Sequence, residues 1–292
     1  MRTLRLLLLL PLLSALFPLT AAAQFPKVLG TVPKMPETPK DTFGTVTYRA
    51  FYDYRIVKDP EAPDKAKSGT ALLLIGDEAL EFMDYNTYRR DTVLGDAYKY
   101  DDQDFTAAFN KALAVGSIHY DGYSVILPGK REHIFQRVLP MTGTVQYTET
   151  LPDFEWQISE ETKEVAGFDC LKATLSYRGR EWTAWFAEEL PMPYGPYVFG
   201  GLPGMILEMV DAEGHYRFSF KGIEEPGERE YPIMLNHGET LQILPREKAR
   251  VLIRNASIQP FAGASKEVVA FDADGNRVSL DQRYPYNPIE LE

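Results

Sequence analysis

Apolar residues along most of this chain recur at every second position, the spacing of strands with one face on a core. Across Thr45 to Val57, Val46, Tyr48, Ala50 and Tyr52 share one face of a predicted strand, which the polar, Pro60- and Pro63-containing stretch from Lys58 to Lys67 ends. Ala71 to Ile75 is an unbroken apolar run suited to a buried strand, and Gly76-Asp77-Glu78 turns it into Ala79 to Asp84 as a hairpin. Between Asp101 and Val115 the period changes. Phe105, Phe109 and Leu113 recur at four-residue spacing, acids crowd the first turn and Gly116 supplies a stop, so a helix is expected there. Its Asp101, Asp102 and Asp104 read as cap and dipole partners rather than as metal ligands.

After Ser117 strand follows strand, with turn signals at Pro128-Gly129-Lys130, Glu160 to Lys163, Arg178-Gly179-Arg180, Asp211 to Gly214 and Asp274-Gly275. The best-defined hairpin sets Met205, Leu207 and Met209 on one face of its first arm and Tyr216, Phe218 and Phe220 on one face of its second. The expected fold is mainly β: a curved antiparallel sheet or half-barrel closed on one side by one or two short helices, similar in pattern to lipoprotein-carrier folds.

The N-terminus departs from this pattern. Arg2 and Arg5 precede an apolar run from Leu6 to Phe17, and Ala21-Ala22-Ala23 offers a small-residue cleavage site, so residues 1 to 23 read as a secretory signal peptide. The sole cysteine, Cys170, is far from that site, so no lipid-bearing N-terminus and no membrane anchor are expected after cleavage. Residues 24 to 44, with Pro26, Pro33, Pro36 and Pro39, read as a proline-rich leader before one β-rich domain over residues 45 to 292. The expected address is the periplasm, with outer-membrane association or release to the medium as variants. Net charge is −11, and the signal peptide would take two positive charges with it, which argues against nucleic acid and anionic lipid as partners.

The most distinctive residues lie between Trp156 and Ile223. They include Ala166-Gly167-Phe168-Asp169-Cys170, Arg178-Gly179-Arg180-Glu181-Trp182-Thr183-Ala184-Trp185-Phe186, and Gly195-Pro196-Tyr197-Val198-Phe199-Gly200-Gly201-Leu202-Pro203-Gly204-Met205-Ile206. This stretch resembles the GLPGLI family of exported bacterial proteins, whose motif stands here as Gly201 to Ile206 with Met205 for the usual leucine, a soft apolar exchange. Leu73-Leu74-Ile75-Gly76 and Phe82 add to the likeness. The resemblance implies export and brings no catalytic residues with it. Physically, Pro203 is barred from a central strand position, so Gly201, Leu202, Pro203 and Gly204 predict a bent entry into the strand that starts near Met205. The same loop is also a candidate contact for a ligand or partner. Trp182 and Trp185 fall on opposite faces of their strand, which makes Trp185 a further candidate, and Arg178 and Arg180 flank a tight turn as candidate anion contacts.

Tests for familiar catalysis give little. There is no G-x-S-x-G elbow, no H-E-x-x-H, no phosphate-binding glycine loop and no complete calcium loop at Asp272 to Asn276, while His119, His133, His215 and His237 are scattered. No cofactor and no metal are expected. Cys170 reads as a small buried apolar residue. The expected role is that of a non-enzymatic periplasmic binding or accessory protein, for an apolar ligand or an outer-membrane transporter. The rivals are an envelope hydrolase whose site forms only in three dimensions, and a surface-assembled structural subunit.

Overall fold

The computed structural model describes residues 31–32, 34, 37, 39–99, 104–227, 231–237, 240–262, 270–271 and 277–291. The expected signal peptide, Asp101 and Asp102, and Asp272 to Asn276 lie outside the described residues. The first half of the chain forms β1 (Lys40–Gly44), β2 (Val46–Ile56), β3 (Lys67–Gly76), β4 (Leu80–Asp84), α1 (Tyr85–Lys99), α2 (Phe105–Leu113), β5 (Tyr123–Leu127), β6 (Glu132–Leu139) and β7 (Gly143–Thr150). The second half forms β8 (Gln157–Val165), β9 (Phe168–Tyr177), β10 (Arg180–Ala187), β11 (Met205–Asp211), β12 (Tyr216–Glu224), β13 (Ile233–Asn236), β14 (Gln242–Ile243), α3 (Arg246–Ile258), β15 (Ala270–Phe271) and β16 (Arg277–Val278).

Twelve strands form one open sheet in the order β14-β7-β6-β5-β4-β3-β2-β12-β11-β10-β9-β8, antiparallel throughout except for the β14–β7 pair. The curvature follows from one contact. Eight strand steps separate β7 from β10, on the order of 38 Å in a flat sheet. Yet Arg178, in the β9–β10 turn, reaches Glu149 of β7 with Nη2 to Oε2 at 2.7 Å. The sheet therefore curls until its two ends nearly meet. This is the curved antiparallel sheet with short helices that the alternation predicts.

The inner face carries the main core, where Tyr52, Leu73, Phe82, Trp182, Phe186, Met209 and Phe218 are all buried. The outer face of β3 to β6 is covered as well: Leu72, Leu74, Met83 and Val125 pack under Ile233 and Leu235 of β13. Burial on both faces explains why Ala71 to Ile75 has no polar position. α3 seals a third cluster, setting Ala249 and Ile253 on Leu139, Val145 and Tyr147.

Several local expectations differ from the structure, each for a physical reason. The pairing of β2 with β3 shifts between Val46 and Tyr48. The shift sends Val46 to the outer cluster, while Tyr48, opposite Ile75, keeps the face of Ala50 and Tyr52 but lies at its rim, 37% exposed. Glu160 to Lys163 is no turn but part of β8, an edge strand whose register slips between Ile158 and Thr162. Its charges are those of an edge kept from pairing further. The turn lies instead at Ala166-Gly167, with φ of 53° and 85°. Lys40–Gly44, in the stretch read as leader, pairs with β13 as β1. Among the described residues three α-helices form, where one or two short ones were expected. α2 begins as predicted, with Asp104 accepting from the Thr106 and Ala107 N–H groups. α1 starts on Asp84, whose Oδ1 accepts the Asn86 N–H at 2.8 Å. α3, in a region read as strands, follows Pro245 and places Ala249, Leu252, Ile253 and Ala256 at helical spacing.

The C-terminal segment straps the curl. Arg180, 3% exposed, donates from Nη1 to Asp211 Oδ2 at 2.6 Å, from Nη2 to Asn287 Oδ1 at 2.6 Å and to Pro288 O at 2.7 Å, and from Nε to Ile289 O at 3.1 Å. Tyr216 donates its hydroxyl to Asn287 O, and Asn287 Nδ2 donates to Val57 O. Removing one partner of a buried ion pair leaves the other charge uncompensated. Arg180→Ala is therefore expected to lower unfolding free energy by about 3–5 kcal/mol, read from urea denaturation, and a loss below about 1 kcal/mol would contradict the role assigned to this side chain.

Candidate functional site

The chain between β10 and β11 folds back on itself. The N–H of Gly201 donates to Pro193 O at 3.0 Å, that of Met205 to Leu190 O at 3.0 Å and that of Ile206 to Tyr194 O at 2.9 Å, while Trp156 Nε1 donates to Gly200 O at 2.8 Å. These bonds turn Tyr197, Val198, Phe199 and Leu202 inward to burial. Phe199 anchors the loop, its ring centroid 4.9 Å from that of Trp182, 5.7 Å from Tyr177 and 5.9 Å from Phe154.

The glycines of the motif have different tasks. A Cβ on Gly204 would lie 2.0 Å from Ala187 O, so only glycine lets the two backbones approach. Gly201 has open space around it but a φ of +83°, where a side chain costs strain rather than a clash. Gly204→Ala is expected to destabilise the fold by about 1–3 kcal/mol or more as an overpacking change. Gly201→Ala should cost only about 1 kcal/mol. Thermal unfolding of both variants checks the order, and equal losses would show that close approach is not what Gly204 provides.

Beside this loop opens an apolar cleft of about 250 Å³, lined by Leu80, Ile126, Leu151, Phe154, Val198 and Phe199, with the backbone of Gly200 and Gly201 at one wall. Its rim carries the Arg131–Asp153 ion pair at 2.7 Å, both side chains exposed. Of the residues singled out from sequence, Gly201 alone lines the cleft. Leu202 is core, Pro203 is exposed at the bend and Gly204 is buried against Ala187. Trp185 is half-buried on the other face of β10, with Lys163 Nζ 5.3 Å from its ring centroid. Arg180 is held within the strap.

Arg178 belongs to a charged cluster that sequence spacing did not reveal. Glu149 accepts from Arg178 Nη2 at 2.7 Å and lies 3.1 Å from both Arg246 Nε and His133 Nδ1. Glu290, fully buried, accepts from Arg246 Nη2 at 2.6 Å and from the Tyr197 hydroxyl at 2.6 Å, and lies 3.4 Å from Arg250 Nη1. The cluster thus ties β6, β7, the β9–β10 turn, α3, the motif loop and the C-terminal segment together. His133 is 0% exposed and ringed by Phe135, Tyr147 and Tyr197, so its pairing with Glu149 orders the interior and offers no imidazole to a substrate. Cys170 is buried as expected, and burial pushes its thiol up to about 11. Among the described residues, no group of three or more His, Cys, Asp or Glu is placed to hold a metal ion.

Burial alone would raise the Glu149 carboxyl, but His133, Arg246 and Arg178 outweigh it and hold the group below its ordinary value of 4.5. Its pairing therefore contributes stability above that value, lost as pH falls through the lower folded-state value. Urea midpoints of the wild type should fall below about pH 4.5 more steeply than those of Glu149→Gln. Parallel pH profiles would remove Glu149 from the closure.

The class is thus an open, tightly curled antiparallel β-sheet protein with a Gly-Pro loop, anchored by buried Phe199 and Leu202, between its arms. Residues 176–208, which run from the end of β9 into β11, match the model of a family described as "Protein of unknown function (Porph_ging)", the GLPGLI family. No curated protein matches the chain. Among solved structures, two crystal forms of PNGF-II are similar at 14% identity, with TM-scores of 0.48 and 0.47. Each alignment covers 79% of this chain and 39% of the PNGF-II chain, so this chain spans well under half the length of those neighbours.

Proposed function

We propose that this protein is a non-enzymatic binding or accessory protein, exported to the periplasm, whose cleft beside Gly200 and Gly201 receives an apolar group of a ligand or client. The observation that supports this reading most is the cleft itself: about 250 Å³, walled by aliphatic and aromatic side chains, and open to solvent at the Arg131–Asp153 rim. A cavity of that size takes a ring or a short acyl segment rather than a whole lipid. The hydrolase alternative has less support, because Glu149, Arg178, Arg246 and Glu290 are engaged with one another rather than turned to the cleft. Assembly through the β8 edge is opposed by Glu160, Glu161, Lys163 and Glu164 along that strand. An outer-membrane transporter would suit as client if it presents an apolar side chain to the cleft.

Leu151→Trp fills the cleft without touching the charged cluster. Titration of a fluorescent acyl probe should show saturable binding to the wild type and at least about ten-fold weaker binding to Leu151→Trp, about 1.4 kcal/mol. Ile158→Ser, on the exposed β8 edge, should bind as the wild type does. Absence of binding, or equal binding by Leu151→Trp, would defeat the proposal.

A further inference from the structure

A second cavity, about 30 Å³, lies between β4, α1 and β13 on the outer face of the sheet, and its polar lining is rich in oxygen. Glu81 forms part of its wall, with Asp91 and Thr92 from α1, Tyr123 from β5 and Asn236 from β13. Glu81 is 2% exposed. Its Oε2 accepts the Met234 N–H at 3.4 Å, but its Oε1 is buried without a hydrogen-bond partner, and so is Thr92 Oγ1. Asp91 accepts from the Tyr123 hydroxyl at 2.7 Å and from Arg90 Nε at 3.2 Å, so Arg90 is directed to Asp91, while Arg49 reaches the same wall by donating from Nη1 to the Tyr88 hydroxyl at 3.4 Å. Each carboxylate oxygen offers two lone pairs, which leaves Asp91 acceptor capacity beyond these two bonds.

A carboxylate held out of water without a counter-charge is costly, and the cost is relieved by a proton or by a cation. Two features favour the cation. The volume suits one water-sized particle and excludes an organic substrate. The unsatisfied atoms are oxygens of a carboxylate and a hydroxyl, ligands that select hard cations. We propose that this cavity is a site for a single hard metal cation of calcium size, held by Glu81, Asp91 and Thr92, which ties α1 to β4. Calcium is favoured over magnesium because it accepts an irregular oxygen shell, whereas magnesium demands a near-ideal octahedron.

The test uses the purified chain after treatment with a chelator. Calorimetric titration with CaCl₂ at about 1 mM and below should show one site, and the same ion should raise the melting temperature and slow hydrogen exchange in α1. Glu81→Gln should abolish all three effects while keeping the far-ultraviolet spectrum of the wild type, and MgCl₂ should act more weakly. Thr92→Val, which removes only the hydroxyl, should weaken calcium binding by about ten-fold and serves if Glu81→Gln does not fold. No calcium response in the wild type would overturn the site and leave a proton as the companion of Glu81. Calcium responses retained in Glu81→Gln, or unchanged in Thr92→Val, would overturn it equally.

Discussion

A twelve-stranded sheet that curls until its ends nearly meet, yet among the described residues forms no backbone ladder between them, has to be shut by side chains. Here the closure is electrostatic and largely shielded from solvent. Glu149 from one end meets Arg178 from the other, Arg246 of α3 bridges Glu149 to Glu290, and Glu290 holds the Tyr197 hydroxyl. Arg180 completes the strap on Asp211, Asn287, Pro288 and Ile289. Such groups are costly to bury, and they are tolerated because each carboxylate is met by several donors at hydrogen-bond distance. The C-terminal segment is therefore part of the core, although it contains no regular element.

The family motif gains its meaning from that closure. The loop carrying Gly200 to Gly204 fills the space between the arms with Tyr197, Val198, Phe199 and Leu202, and its backbone must pass against Ala187 and Pro193 to do so. What shows on the surface beside it is a by-product of the packing: two glycines and a phenylalanine form one wall of an apolar cleft. Folding geometry and a ligand surface are thus two faces of one loop. The buried side of the motif accounts for its glycines and leucine, and the open side supports the binding role.

The strands were legible because alternation reports a face, and Met209, Tyr216, Phe218 and Phe220 are buried in the main core as their spacing implied, whereas a register shift opposite Trp185 and Phe186 pairs Ile206 with Phe186 and Met205 with Ala187, so Met205 leaves that face. Arg178-Gly179 was legible as a tight turn because φ values of 49° and 79° suit a short hairpin. α3 was missed although Ala249, Leu252, Ile253 and Ala256 carry a helical period, since short apolar runs there also satisfy a strand template. α1 had little to show, with two buried residues and Gly95 in its interior. The charged cluster had no local signal at all. His133, Glu149, Arg178, Arg246 and Glu290 are brought together by the curl of the sheet and by the C-terminal strap, and neither is written in any spacing. The cleft was invisible for the same reason, apart from Gly201.

The central claim is that side chains, and not strand pairing, hold the two ends of the sheet together. Spin labels at exposed Thr148 of β7 and exposed Thr162 of β8 report that separation directly by electron–electron distance measurement. The wild type should give one narrow distance distribution, and a variant carrying Arg178→Met with Glu149→Met should give a broader and longer one while the main core stays folded. An unchanged distribution in that variant would contradict the account.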